Sequence, residues 1–411
     1  MPIAVLILVL VFLAIAFRQV GARPIPIWAI LSAGAAGVLL TGEITPLQAL
    51  TAINVDVLLF LFGMFVVGQA LEDSGYLSHL SYKFFSRARS TGQMLWLILF
   101  GMGLGSAFLM NDTLAIIGTP VVLHLARSHR VSPKLLLLAL AFAVTLGSVM
   151  SPIGNPQNLL IAVDGKIANP FVTFLKFLFL PTLLSLAIVY PILKFFYKDQ
   201  FHDHPLDHTR EPIRDAHLAR LCKISLGLIL LLISIKIGLA VFNTGRDFPM
   251  TAIALTAALP PLLASPRRWP LLRGIDWHTL VFFAAMFVLM ASVWQSGFLQ
   301  NLIAQSRLDL TSNSMILCLG ILFSQVISNV PFVALYLPLL TSVDASPENL
   351  MALAAGSTIA GNLLILGAAS NVIIIQNAEK KWGETISFME FARVGIPLTA
   401  ASAVVYGLFL I

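Results

Sequence analysis

The sequence predicts an all-α membrane protein with about ten transmembrane helices and two re-entrant helical hairpins, arranged as two inverted repeats. Three observations predict this fold. Hydrophobic residues make up 58% of the chain and charged residues only 11%, whereas soluble domains carry about a quarter charged residues. Apolar runs long enough to span a bilayer recur along all 411 residues. The order of these runs is similar in the two halves of the chain.

Apolar runs between charged or Pro/Gly-rich breaks predict the individual crossings. They cover residues 2–17, 25–41, 55–72, 135–162, 171–196, 224–242, 250–264, 277–296, 350–377 and 386–411. Two further apolar segments, 94–126 and 314–343, have polar residues at their centres. Each half of these segments is roughly 16 residues, or about 24 Å of helix, which is short for a ~30 Å hydrocarbon core. We therefore predict a re-entrant hairpin at each of them.

The basic residues predict the orientation of the chain. If the N-terminus is outside, nineteen of the 25 lysines and arginines fall on cytoplasmic segments, three on outer loops and three inside helices. Cytoplasmic loops are expected to carry this excess, so both termini are predicted to be outside. Charge bias does not distinguish a hairpin from two full crossings, because both return the chain to the side it left. The net charge of +6 therefore indicates topology rather than a nucleic-acid partner.

The two cysteines, the hydrophilic stretch at 198–223 and the first apolar run say little about function. Cys222 and Cys318 stand alone, without the spacing of a metal site or a redox pair. Residues 198–223 form the only long hydrophilic stretch and are rich in histidine; we interpret them as a cytoplasmic linker, with metal binding or pH sensing as the alternative. Residues 2–17 lack a basic flank and a cleavage site, which indicates a retained helix.

The two halves of the chain resemble each other. VDVLLFLFGMFVV at 55–67 resembles WHTLVFFAAMFVL at 277–289. Further pairs follow in the same order, namely 110–123 with 328–341, 145–161 with 358–374, Pro181 with Pro397 and Tyr190 with Tyr406. Because each half holds five crossings, the second copy is predicted to be inverted relative to the first, as in many secondary transporters.

The predicted domain organisation follows from this repeat. The first copy covers 1–197, the linker 198–223 and the second copy 224–411. The first copy comprises scaffold helices within 1–72, a hairpin at 94–126, a broken helix at 135–162 and a helix at 171–196; the second has its hairpin at 314–343 and its broken helix at 350–377.

Polar breaks fall at corresponding points of the two halves. Residues 111–113 and 328–330 are the hairpin tips, and 154–158 and 368–371 interrupt the broken crossings. Backbone that leaves a helix at membrane depth must be satisfied by protein or by a water-filled cavity, so we expect the four breaks to converge. Half-helix N-termini suit an anion, and freed carbonyls suit a small cation. The predicted binding residues are Asn111, Asp112, Thr113, Gly154, Asn155, Asn158, Ser328, Asn329, Gly367, Ser370 and Asn371.

Asp112 is the only charged residue between Arg89 and Arg127. An ionisable residue inside a membrane is by default a functional candidate. We predict that Asp112 is the coupling acid, which either carries a proton or ligates sodium together with Asn111 and Asn155. The alternative is that Asn111 and Asp112 cap the second helix of the hairpin, since both are good N-cap residues; Ser328 and Asn329 could likewise cap the helix before Pro331.

The paired tips and broken helices resemble those of the ion transporter superfamily, which includes arsenite permeases, sodium/proton antiporters and citrate transporters. SPIGNPQN at 151–158 is similar to the first broken-helix motif of that superfamily, and LGAASN at 366–371 is a copy without the proline. The Asn-Asp pair at 111–112 is closer to the arsenite permease and sodium/proton antiporter branch than to the Ser-Asn-Thr tips of sodium–dicarboxylate carriers. The resemblance implies a mobile transport domain, a scaffold that often dimerises and an elevator mechanism.

Together these observations predict a secondary active transporter of a small anion or oxyanion in a prokaryotic inner membrane, driven by protons or sodium and working as a homodimer. Neutral arsenite would suit an amide-rich site, whereas a carboxylate or sulfate would need the half-helix dipoles. The alternative is a sodium/proton antiporter that carries no anion; a passive channel is less consistent with inverted repeats. An enzyme is not predicted, because the sequence has no HExxH or GxSxG motif, and no cofactor besides the coupling ion is expected.

Overall fold

A computed structural model describes residues 2–17, 25–76, 79, 85, 88, 90–201, 213–242, 248–298, 301 and 309–411 of the chain. All regular secondary structure in these ranges is helical, which confirms the predicted fold class. Six of the described helices are long and apolar enough to cross a bilayer. The helices of the first half, in chain order, are α1 (Ile3–Phe17), α2 (Ile27–Leu40), α3 (Pro46–Ala52), α4 (Val55–Ser74), α5 (Thr91–Leu97), a π-helical turn (Ile98–Met102), α6 (Gly103–Leu109), α7 (Asn111–His129), α8 (Pro133–Ser148), α9 (Pro156–Asp164) and α10 (Pro170–Phe196).

The second half repeats this order of elements. Its helices are α11 (Ala216–Val241), α12 (Met250–Ala264), α13 (Arg268–Gly274), α14 (Trp277–Gln295), α15 (Asn313–Ile327), α16 (Asn329–Ser342), α17 (Pro347–Ile359), α18 (Ala369–Trp382) and α19 (Phe388–Leu410). In both halves two helices and a short helix precede a long one, a helical pair follows, and an interrupted helix comes before the last helix. The inverted orientation of the second copy stays a prediction.

Local chemistry sets several boundaries that hydropathy did not predict. The short helix α3 begins after Thr45, whose side chain forms a capping box with Gln48. The two arms of the first helical pair, Thr91–Leu109 and Asn111–His129, are 19 residues each, longer than the predicted arms, because the polar residues at both outer ends continue the helices. Whether this pair stops within the membrane stays a prediction.

The predicted linker ends earlier in the structure than in the prediction. Asp215 accepts a hydrogen bond from the backbone N–H of Leu218 and caps α11, so residues 216–223 are helical rather than linker. Lys198–Gln200 forms a short 3-10 helix. The histidine-rich part of the linker, residues 202–212, lies outside the described residues.

The helices pack in two groups. Helices α1–α4 and α11–α14, which we call the scaffold group, pack mainly against one another, and α5–α10 and α15–α19, the hairpin group, do the same. The packing of the two halves corresponds: α4 packs on α12 as α14 packs on α2, and α9 packs on α16 as α18 packs on α7. The two groups meet where α4 contacts α7 and α9 and where α14 contacts α16.

Helix α8 lies at the centre of the hairpin group. Every residue from Leu135 to Ser148 is buried, as expected for a helix that is apolar all round. Gly147 allows close packing, since a Cβ atom there would lie 2.0 Å from the carbonyl oxygen of Gly103. The first arm of the helical pair therefore lies directly against the helix that ends in the first break.

Candidate functional site

The first break, residues 149–155, is held by two asparagine side chains. Asn155 caps α9 by accepting from the backbone N–H of Asn158 at 2.9 Å. Asn158 donates through Nδ2 to three backbone carbonyls, those of Ser148 at 3.1 Å, Val149 at 3.1 Å and Ser151 at 3.0 Å. Backbone groups buried away from water need such partners. The side chain of Asn158 is thus engaged within the break itself.

The first hairpin tip is attached to this break through Gly154. The backbone N–H of Asn111 donates to the carbonyl of Gly154 at 2.9 Å. A Cβ atom on Gly154 would lie 2.3 Å from the carbonyl oxygen of Ser148, a distance that only glycine avoids. The structure therefore brings the predicted residues Asn111 and Gly154 into direct contact.

The second break, residues 360–368, repeats one of these contacts and lacks another. Asn371 donates through Nδ2 to the carbonyl of Gly361 at 2.6 Å, which corresponds to the bond from Asn158 to Ser148. The position that corresponds to the capping Asn155 is Ala368, and no side chain caps α18. The N-terminus of this 14-residue helix is therefore open to a ligand.

Several buried polar atoms near the second break have no hydrogen-bond partner among the described residues. They are Oδ1 of Asn329, Oδ1 and Nδ2 of Asn362, Oγ of Ser370 and Oδ1 of Asn371. All four residues are at most 6% exposed. Because most buried polar groups in proteins are paired, these atoms mark a place where water or a ligand is expected.

Thr358 connects the two breaks. Its hydroxyl accepts from Nδ2 of Asn155 at 3.3 Å and from Nε2 of Gln157 at 3.2 Å, and can donate to Oδ1 of Asn158 at 3.4 Å. Gln325, on the first arm of the second helical pair, donates to the carbonyl of Ala360 at 2.7 Å. Segments of both breaks and both helical pairs are thus linked by a continuous set of polar contacts.

Asp112 and Thr113 face away from this polar set, towards the scaffold group. Both line a cavity of about 130 Å³. The wall is formed by α4, α7, the α13–α14 junction and the first turns of α18, and its residues are Phe65, Gly68, Gln69, Glu72, Asp112, Thr113, Ile116, Ile117, Gly274, Ile275, Asp276, Thr279, Ala369 and Ile373. Three of these carry carboxylates and none is lysine, arginine or histidine. We call this the Asp112 cavity.

A second cavity occupies the corresponding place in the other half. It has a volume of about 270 Å³ and lies between α9, α14 and α16. Four of its wall positions correspond to wall positions of the Asp112 cavity, namely Phe287 to Phe65, Met290 to Gly68, Ala291 to Gln69 and Trp294 to Glu72. Asp164, at its edge, is its only carboxylate. We call it the apolar cavity, because one carboxylate lines it whereas three line the Asp112 cavity.

The capping interpretation of the hairpin tips is wrong. Met110 is the N-cap of α7 and Ser328 is the N-cap of α16, and neither makes a side-chain capping bond. Oδ1 of Asn111 accepts instead from the adjacent backbone N–H of Asp112 at 2.9 Å. The backbone angle φ is 65° at Met110 and 71° at Ser328, and residues other than glycine rarely adopt such positive values. This strained connection, rather than a cap, turns the chain at both tips.

The structure distributes the predicted binding residues over three places. Asp112 and Thr113 lie in the Asp112 cavity, the first-break residues lie in the polar set around Thr358, and Ser370 and Asn371 lie at the open N-terminus of α18. Asn155 uses its side-chain oxygen as a cap, so sodium ligation by Asn155 with Asn111 and Asp112 stays a prediction. Gly367 lies beside the Gln325 side chain.

Several polar residues of the site were missed by the sequence analysis. Gln69 and Glu72 lie one helical turn apart at the end of the predicted crossing 55–72, next to the polar residues that follow it, and Asp276 precedes α14. Thr358 and Gln325 are single polar residues without a motif. Among the described residues no group of three His, Cys, Asp or Glu side chains could hold a metal ion. Outside the site, Glu390 forms a salt bridge with Lys134 between α19 and α8.

Comparison with known proteins agrees with this architecture. The profile of the citrate transporter family matches residues 9–349. A 46 kDa membrane protein of Mycobacterium leprae is 29% identical over 88% of this chain and 86% of its own length. The human P protein is 24% identical over 86% of this chain, which spans 53% of that protein. The YdaH transporter of Alcanivorax borkumensis has a similar fold, with a TM-score of 0.58 at 15% identity, covering 100% of this chain and 98% of YdaH.

The family match covers most of the chain, and the helical fold of the described residues with its apolar spans is that of a membrane protein. The chain therefore belongs to the citrate transporter family and is an integral membrane transporter.

Proposed function

We propose that the protein is a secondary active transporter of a small anion or oxyanion, coupled to a proton or sodium gradient through Asp112. The observation that carries the proposal is the Asp112 cavity, where the Asp112 carboxylate and the uncapped N-terminus of α18, both in the hairpin group, line one space that the scaffold group closes on its other side. An anion at the helix N-terminus and a cation at Asp112 would then occupy one site.

Electrostatics makes coupling necessary in this proposal. Two like charges 4 Å apart repel by about 4 kcal/mol at an effective dielectric constant of about 20. Glu72, Asp112 and Asp276 line the cavity and no basic side chain does. A negatively charged substrate therefore enters only when a proton or sodium ion neutralises Asp112, which links the movement of the two species.

The polar groups of the site indicate which class of substrate it could bind. The amide oxygens and nitrogens near the second break can both accept and donate, which suits a neutral oxyacid such as arsenite. A carboxylate or sulfate would depend on the α18 N-terminus and on charge compensation at Asp112. The substrate class of the proposal is therefore a small oxyacid or its anion.

Alternating access is the proposed mechanism of movement. The scaffold and hairpin groups pack mainly within themselves, and the cavities lie at their boundary. Sliding of one group past the other would expose the Asp112 cavity to each side of the membrane in turn. In this proposal the scaffold group also forms the homodimer contact.

Transport into proteoliposomes tests the proposal. Arsenite, citrate, succinate and sulfate are offered with an imposed proton gradient or an imposed sodium gradient, and counterflow of labelled substrate distinguishes a carrier from a pore. Asp112→Asn is expected to abolish gradient-driven accumulation while retaining the melting temperature. Asp344→Asn is the matched control, since Asp344 is an exposed acid with positive φ, a conformation that asparagine tolerates. Unchanged accumulation by Asp112→Asn would refute the coupling role.

The acidic wall also supports a second candidate, a sodium/proton antiporter that carries no anion. Three carboxylates line the cavity and no basic side chain does, a composition that favours a cation over an anion. Sodium flux driven by a proton gradient in vesicles without any organic or oxyanion solute would support this candidate. Sodium flux that requires one of the tested anions would support the anion transporter.

A further inference from the structure

A carboxylate–amide hydrogen bond joins the two helix groups at one end of the molecule. Nδ2 of Asn54, in the scaffold group, donates to Oδ1 of Asp164, in the hairpin group, at 2.5 Å. Asn54 also caps α4 through its side-chain oxygen, which accepts from the N–H of Val57 at 3.1 Å. Asp164 ends α9 and lines the apolar cavity. We call Asn54 and Asp164 the outer pair, because the predicted orientation places both outside.

The second half of the chain has a corresponding pair in which the amide and the carboxylate have changed places. Asp276 caps α14 by accepting from the N–H of Thr279 at 3.0 Å, as Asn54 caps α4, and each cap lies one residue before its helix. Asn377 lies in α18 where Asp164 lies in α9, at the same spacing from the asparagines that bind the break carbonyls, Asn371 and Asn158. We call Asp276 and Asn377 the inner pair. Its carboxylate lies in the scaffold group and its amide in the hairpin group.

The inner pair is not formed in the structure. Both carboxylate oxygens of Asp276 are bound by Thr279, Oδ1 by the backbone N–H at 3.0 Å and Oδ2 by the hydroxyl at 2.6 Å. Asp276 lines the Asp112 cavity together with Ala369 and Ile373 of α18. Asn377 is one turn beyond Ile373 on α18. Asp276 thus has Thr279 as its hydrogen-bond partner and not Asn377, whereas the members of the outer pair are in contact.

We infer that the two pairs are alternating positioning contacts of the transport cycle, with the outer pair holding the present conformation and the inner pair closing the Asp112 cavity in the opposite one. This inference rests on the proposed alternating-access function. In inverted-repeat carriers the two repeats exchange their arrangements between the two states. Such an exchange brings Asn377 to Asp276 as Asp164 moves away from Asn54. Each state is then held by one amide donating to one carboxylate, a charge-assisted hydrogen bond.

A charge swap tests the outer pair without disturbing the cap of α4. Asn54→Asp retains an N-cap, because aspartate and asparagine cap equally well, but it places two carboxylates against each other. The double variant Asn54→Asp/Asp164→Asn again has one amide and one carboxylate. If the pair holds the present conformation, the single variant leaves that conformation and the double variant returns to it.

The readout is a cysteine at Ala369, an exposed residue of the Asp112 cavity. The exposed Cys318 is replaced by serine and the buried Cys222 is retained. A membrane-impermeant maleimide labels Ala369→Cys in inside-out vesicles. We expect Asn54→Asp to lower the initial labelling rate about threefold or more, since a hydrogen bond to a charged group is replaced by repulsion, and the double variant to restore it. Equal labelling of the single and double variants would overturn the role of the outer pair.

Disulfide trapping tests the inner pair. In the same background, Asp276→Cys/Asn377→Cys is expected to form a disulfide when a thiol oxidant such as copper–phenanthroline is added during turnover. The disulfide should protect the reporter position from maleimide and stop transport until reductant is added. A disulfide that never forms, in a protein whose parent background transports, would overturn the inference. If the wild type transports none of the tested solutes, the proposed function fails, while the maleimide labelling of the Asn54 variants still reports on the outer pair.

Discussion

Replacing Asn158 with leucine distinguishes a structural role of the first break from direct substrate binding. The side chain donates to three carbonyls in the break. The carbonyls of Ser148 and Ser151 each keep a backbone partner, at 3.3 Å and 3.2 Å, when these bonds are lost. The carbonyl of Val149 has no second partner among the described residues. Leucine matches asparagine in the branching and the number of its side-chain heavy atoms but is bulkier, so the loss of hydrogen bonds is accompanied by some overpacking. Leucine at the corresponding position of the second repeat adds the same bulk.

The expected loss in the free energy of unfolding follows from the number of hydrogen bonds that each substitution removes. Each lost hydrogen bond costs about 1 kcal/mol, and a buried carbonyl left unpaired costs about 1–3 kcal/mol more. The two amide hydrogens of Asn158 are shared among the three carbonyls, and Oδ1 also loses the bond from the Thr358 hydroxyl. Three lost bonds and one unpaired carbonyl sum to about 4–6 kcal/mol in the free energy of unfolding. Asn371→Leu removes a single bond and takes that partner from the carbonyl of Gly361, so its expected cost is about 2–4 kcal/mol. The corresponding residue of the second repeat is therefore a matched control.

The assay is thermal unfolding of the purified protein in detergent, with and without the substrate identified by transport. Asn158→Leu is expected to lower the melting temperature more than Asn371→Leu, because it removes about three hydrogen bonds rather than one. A melting temperature like that of the wild type, together with loss of the substrate-induced shift, would refute the reasoning. That result would show that Asn158 binds the substrate rather than the break.

Two further predictions concern packing within the hairpin group. Gly154→Ala is expected to destabilise the protein by about 2 kcal/mol or more, because the added Cβ would lie 2.3 Å from the carbonyl oxygen of Ser148. The control is Gly227→Ala, where an added Cβ would meet nothing within 4 Å. In melting experiments this control should be neutral or stabilising. Thr182 and Tyr406 share a buried hydroxyl–hydroxyl bond of 2.7 Å between α10 and α19. A double-mutant cycle of Thr182→Val and Tyr406→Phe should give a coupling of about 1 kcal/mol; additive losses of stability would contradict that bond.

Much of the fold could be predicted because its signals are local. The helices follow from apolar length, and the first break follows from the glycine and proline at 154 and 156, which together disfavour a continuous helix. The short helix α3 and the start of α11 were missed, because capping by Thr45 and Asp215 extends helices into polar sequence. A hydropathy pattern does not show that a polar side chain caps a helix by hydrogen bonding to the nearby backbone.

The sequence by itself determined the membrane fold, the repeated order of elements and the position of Asp112, since polarity along the chain decides which segments can enter lipid. Only the tertiary structure decided which residues share a cavity with Asp112 and which asparagines are already bound. Glu72 and Asp276 reach the cavity from other helices, and Asn54 meets Asp164 across 110 residues of sequence. Such contacts depend on how the two helix groups pack, and the period of a single helix contains no information about its neighbours.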